Sequence, residues 1–151
     1  MRDAVTVHMA APPAKVWELV SDVTRIGEFS PETFEAKWID GATGPAVGAK
    51  FRGHVKRNGI GPIYWTTCRV SECVDGEVFG FEVITGGKPL NTWTYRLAAA
   101  GDGTDVTESF ALLPTLPLRL YWALLGWARG KTNREGMRTT LERMRAVVEA
   151  G

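Results

Sequence analysis

Cysteine is scarce: Cys68 and Cys73 are the two in 151 residues. They fall in one extended stretch, about 16 Å apart, beyond disulfide reach. An odd spacing also puts them on opposite faces. Free thiols and a reducing compartment follow as expectations. Histidine is equally sparse, with His8 and His54 far apart in the chain, and no paired CxxC exists, so no metal site is expected. There is no GxSxG, no HExxH and no glycine loop of the phosphate-cradling kind. Their absence argues against hydrolases and nucleotide enzymes, though not against acid–base catalysis, which needs no motif. Nothing calls for a cofactor. Charge of one sign is lacking too: the net charge is +1, so no global field recruits nucleic acid or membrane. The longest apolar run, Leu120 to Ala128, is about half a membrane span. The opening MRDAVTVHMAAPP has no apolar stretch of signal-peptide length, which points to the cytoplasm.

What remains is an ordinary globular balance, 44% hydrophobic and 23% charged, at a length that suits one domain over residues 1–151. A chain of this size buries roughly 68–70% of its unfolded surface, enough for a core without staples. The six tryptophans are unusual. They suit either a thick core or an aromatic-lined pocket, and composition does not choose between the two.

Residues 3–9 alternate and predict a strand. Pro12 and Pro13 open a short helix whose apolar side is Val16, Trp17, Leu19, Val20 and Val23. A second helical turn over 24–31 ends at Pro31. The pattern then changes period. Segments 34–40, 49–57, 63–74, 78–84, 91–99 and 105–113 read as strands separated by Gly, Pro, Asn and Asp turns. Strands in a row at hairpin spacing pair antiparallel, and a meander with one apolar face must bury it on something. The C-terminus supplies the cover: Met137, Leu141, Met144 and Val148 share one helical face. The regular helix is expected from about Asn133 to Ala150, with Gly126, Gly130 and Gly136 marking a break or kink upstream. Residues 116–128 form either a separate helix or an earlier, bent part of the same one.

The stretches APPAKVWELVSDV (11–23), FSPE (29–32), VGAKFRGH (47–54), the Trp65–Cys68 strand, TWTY (92–95), GTDVTES (103–109) and GMRTTLERM (136–144) resemble, in order and over nearly the whole chain, the bacterial polyketide cyclase/dehydrase-like branch of the START and birch-pollen-allergen (SRPBCC) superfamily. Phe29 departs from it, standing where relatives usually carry Trp. The resemblance implies an α+β helix-grip fold: a curved antiparallel sheet of about seven strands wrapped around a long C-terminal helix, with two short helices after the first strand. It also implies a deep apolar cavity. It implies function poorly, since members bind lipids, sterols, hormones or polyketides and a few catalyse cyclisation or dehydration.

Alternation places Phe51, Val55, Phe79, Phe81, Trp93, Tyr95, Val106 and Phe110 on one sheet face. Met137, Leu141 and Met144 would face them from the helix. The residues alone favour a solid core; the resemblance favours a ligand-sized cavity. Glu108 shares parity with Val106, Phe110 and Leu112, so it should point inward, where a carboxylate needs a partner or a raised pKa. It is the candidate catalytic residue, as general acid or base, and equally a candidate anchor for a ligand hydroxyl. A bulge returning it to solvent, or an Arg partner, would make it structural instead. Trp93 and Tyr95 bring polar handles to an apolar face. His54 shares parity with Arg52 and Lys56 and belongs outside. In strand 63–74 two registers stand open: Cys68 and Val70 inward with Arg69 outside, or Trp65, Thr67 and Arg69 inward with Arg69 beside Glu108.

Residues 116–128 cluster Tyr121, Trp122, Leu124, Leu125 and Trp127, and between 119 and 145 seven basic residues face two acidic ones. An aromatic stretch followed by a basic helix suits a transient membrane contact over 116–145, or a cavity gate; it suits equally a lid with a solvated Arg face. The expected function is binding or transport of a hydrophobic small molecule, lipid or polyketide-like, in an internal cavity. The alternative is a cyclase or dehydratase using Glu108, and a third reading is an interaction module built on the 116–145 surface. The partner is the small molecule, with no nucleic acid; the chain itself could be monomer or homodimer.

Overall fold

The structure, a computed structural model, describes residues 2–56, 63–112 and 134–150. The chain runs β1 (Arg2–Met9), α1 (Pro13–Val20), a 3-10 helix (Val23–Glu28), then β2 (Thr33–Ile39), β3 (Lys50–Lys56), β4 (Ile63–Val74), β5 (Val78–Thr85), β6 (Lys88–Ala100) and β7 (Gly103–Leu112). A last helix, α2, covers residues 134–150. The seven strands form one sheet in the order β1-β7-β6-β5-β4-β3-β2, every neighbouring pair antiparallel. This is the helix-grip arrangement. Two turns are tighter than expected. Lys88 and Pro89 already belong to β6, and Gly103 and Thr104 to β7. Pro89 is tolerated because it sits where the β5–β6 register shifts, a place where a missing N–H costs little.

α1 begins with Pro13 in its first turn, where the absent N–H would be unpaired anyway. It buries Val16, Trp17, Leu19 and Val20, and Trp17 meets Phe79 of the sheet edge-to-face at 6.3 Å. α2 is fixed at one end to β1 and at the other to the residue that follows it. Arg134 Nη1 pairs with Asp3 at 2.9 Å, and Glu149 accepts from the Ala10 backbone N–H at 2.8 Å. Helix and strand therefore run parallel. The spans agree: fifteen residues of helix and seven of strand each cover about 22–24 Å.

The apolar face of α2 (Met137, Leu141, Met144, Val148) is at most 3% exposed. Toward the end of β1, the sheet's inner face presents Met9, Val106, Leu97, Phe79 and Val70, all buried, and α2 and α1 close on them as a packed core. Toward the other end, the same face carries small residues: Gly53 and Thr66 are cross-strand partners, and Cys68 lies two positions on. There the sheet and helix do not fill the space between them.

Candidate functional site

That open end is a cavity of about 540 Å³. β3 contributes Phe51, Gly53 and Val55, β4 Tyr64, Thr66 and Cys68, and β5 Phe81, Val83 and Thr85. β6 contributes Leu90, Asn91, Trp93 and Tyr95, β7 Glu108, Phe110 and Leu112, and α2 Gly136, Met137 and Thr140. Tyr64 and Thr85 are exposed wall residues and mark where the cavity reaches the surface. The ring pairs Phe51–Phe81 at 5.1 Å and Trp93–Phe110 at 4.7 Å give it two aromatic walls.

Of the residues expected from alternation, Phe51, Val55, Phe81, Trp93, Tyr95, Glu108, Phe110 and Met137 come together on this cavity. Phe79 and Leu141 do not. They share the inward face, but they sit where α1 and α2 are seated directly on the sheet, and both are buried in the packed core. Val106 and Met144 are likewise core, each fully buried. Asn91, Thr66, Gly136 and Thr140 line the cavity without having been singled out. Asn91 was readable, since it precedes Trp93 and Tyr95 at the same parity.

Glu108 points inward and is 3% exposed. No bulge and, among the described residues, no arginine rescues it. β6 and β7 pair without a register shift, so Tyr95 lies directly opposite. The Tyr95 hydroxyl donates to Glu108 Oε2 at 2.7 Å. Oε1 is buried and has no partner among the described residues, and the Oδ1 of Asn91 is in the same condition. Removal from water pushes the Glu108 carboxyl up to about 8, against a smaller lowering by the Tyr95 hydrogen bond. The same burial, reinforced by Glu108, pushes the Tyr95 phenol up. Both shifts favour the protonated forms, a carboxylic acid held by a phenol in an apolar wall.

The register of β4 is the first of the two considered. Cys68 and Val70 are buried, whereas Arg69 is on the outer face, with Nε 3.0 Å from Glu82 Oε1. Burial pushes the Cys68 thiol up to about 12. His54 lies outside as expected. It stacks on Trp65 at 4.1 Å and 10°, touches Phe34 and bonds Glu35 at 2.8 Å. Phe34 reaches that side because β2 bulges between Thr33 and Glu35. His8 is held on the surface by Asp105 and Asp102. Among the described residues there is no cluster of metal-ligating side chains, and none of the described helices is long and apolar enough to cross a membrane. The stretch 116–133, where most of the expected membrane contact or gate falls, lies outside the described residues.

A family model described as polyketide cyclase / dehydrase and lipid transport matches residues 4–149. The chain belongs to that family. No match to a protein of curated function was found. Solved structures agree on the fold. A protein from Thermus thermophilus has a TM-score of 0.75 at 19% identity, covering 99% of this chain and 98% of its own. An AHSA1-like protein from Aeromonas hydrophila has 0.65 at 18%, covering 99% and 93%. A Polyketide_cyc-like protein from Corynebacterium glutamicum is 29% identical, with a TM-score of 0.55 over 98% of this chain and 85% of that one. In this member of the polyketide cyclase / dehydrase and lipid transport family, the cavity lies between the sheet and α2.

Proposed function

We propose that this protein binds and carries a hydrophobic small molecule, lipid or polyketide-like, between its sheet and α2. The observation that carries the reading is the cavity of about 540 Å³, within the range of roughly 300–1,000 Å³ typical of small-molecule sites. Its aromatic walls supply affinity, and the Tyr95–Glu108 pair orients the guest. The test is native mass spectrometry on protein purified without detergent, followed by extraction of anything retained. A bound lipid-like or aromatic species is expected; an apo mass with no uptake from a mixed lipid and polyphenol library would refute it.

A second reading is favoured by one observation. A carboxyl raised to about 8 can hold or release a proton near working pH, as a general acid or base must. Glu108 would then move a proton on a substrate folded in the dry cavity, as a cyclase or dehydratase requires. Turnover of a polyketide-type substrate that vanishes in Glu108→Gln, with binding retained, would establish that reading over plain carriage. Transient membrane contact through residues 116–145 belongs to the carrier proposal, and the exposure of Arg138 and Arg143 on α2 suits it. Cosedimentation with anionic liposomes tests it, and a negative result removes it.

A further inference from the structure

Two residues that line the cavity each carry a buried oxygen without a partner among the described residues: Glu108 Oε1 and Asn91 Oδ1. Each is an uncompensated cost to the protein alone, because a polar atom removed from water without a hydrogen bond is destabilising. They are also spaced. Asn91, Trp93 and Tyr95 occupy alternate positions of β6, with Glu108 opposite Tyr95 and Phe110 opposite Trp93. Four residues of strand separate the Asn91 level from the Glu108 level, about 13 Å. Between them lies an apolar platform, the Trp93 and Phe110 rings at 4.7 Å.

We propose, resting on the carrier reading above, that the cavity selects an uncharged, elongated hydrophobe with an oxygen function at each end: a hydroxyl at the Asn91 end, a carbonyl or hydroxyl at the Glu108 end, and an apolar body across Trp93 and Phe110. The chemistry at each end follows from the partners. Tyr95 already donates to Oε2, so the acid proton of Glu108 belongs on Oε1 and is offered to a ligand oxygen. A hydroxyl at the far end donates to Asn91 Oδ1. A ligand with one polar end satisfies one of these atoms and leaves the other stranded. A carboxylate ligand would bring a negative charge into an apolar pocket with no cationic residue on its described wall, which is costly. This separates the expected guest from fatty acids.

The experiment compares one carbon skeleton with different ends: decane-1,10-diol, decan-1-ol and decanoate, titrated into the wild-type protein by calorimetry. The diol is expected to bind about fivefold or more tighter than the mono-alcohol, the size of one net hydrogen bond at a buried group, and decanoate weaker than both. In Asn91→Leu, which keeps the apolar shape, the diol should lose that advantage while decan-1-ol binds at least as well. Equal affinity of diol and mono-alcohol, or decanoate as the best binder, overturns the two-ended site and leaves the carrier reading standing. Failure of all three compounds to bind also overturns the two-ended site, while the carrier reading is decided by the mixed-library uptake described above. The wild-type comparison is decisive by itself should the variant not fold.

Discussion

Tyr95 and Glu108 face each other in register across β6 and β7, the phenol donating its hydrogen to the carboxyl over 2.7 Å. Because the carboxyl is held near 8 rather than its ordinary 4.5, folding is linked to pH. Below about 4.5 the acid is protonated in both folded and unfolded chains and contributes no slope. Between 4.5 and about 8 the unfolded chain releases the proton while the native one keeps it. Stability therefore falls as pH rises through that window, by at most about 1.4 kcal/mol per pH unit, and levels off above it. Glu108→Gln cannot ionise, so urea denaturation across pH 4.5–8.5 should show its stability falling less steeply than wild type. Parallel profiles would contradict the buried acid.

Tyr95→Phe removes the one partner Glu108 has among the described residues. The acid then loses the hydrogen bond that favours its ionised form, so its titration moves further up. Its Oε2 is stranded beside an already unpartnered Oε1. A loss of roughly 1–3 kcal/mol is expected in denaturant unfolding at neutral pH. NMR titration of the Glu108 carboxyl carbon should report a higher midpoint than in wild type.

Gly136 lines the cavity, and among the described residues a Cβ built there meets nothing within 4 Å. Gly136→Leu therefore puts apolar volume into open space while removing a helix-weakening residue, worth up to about 1 kcal/mol. The variant should melt at or above the wild-type temperature. Its uptake of a hydrophobic probe such as decan-1-ol should fall at least tenfold. Undiminished uptake would place the ligand elsewhere.

The strands and their inward faces were legible where alternation runs unbroken. β3, β6 and β7 keep one parity from Phe51 to Val55, Trp93 to Leu97 and Val106 to Phe110. β4 was ambiguous because large residues occupy both faces. Ile63 and Trp65 lie outside and well exposed, and Trp65 there stacks on His54 rather than entering the core. The register also shifts between Val70 and Glu72, so no single parity holds through Cys73. Depth was not legible. Phe79 and Phe81 have the same parity and chemistry, yet one meets Trp17 of α1 and the other the open cavity. Alternation tells which way a side chain points, but not whether a helix is seated above it.

The hairpin joining β6 to β7 shows how tightly the closed end is built. Gly103 starts β7 and is buried, and a Cβ there would sit on the Met9 carbonyl oxygen of β1, closer than side chains ever approach backbone. The obstacle is backbone, so no rotamer change relieves it. Next to it, Thr104 is fully buried and donates to the Ala11 carbonyl at 2.8 Å, tying β7 to the segment that leads into α1. Gly103→Ala must therefore push β1 away from β7, where Met9 is wholly buried. The expected cost is about 1–3 kcal/mol or more, that of overpacking a core, measured by thermal or urea unfolding. Because the clash lies at the packed end, far along β7 from Glu108, affinity for a cavity ligand should be nearly unchanged in the variant that remains folded. An Ala substitution with no loss of stability would mean that β1 and β7 are not held together as closely as Met9 and Gly103 require.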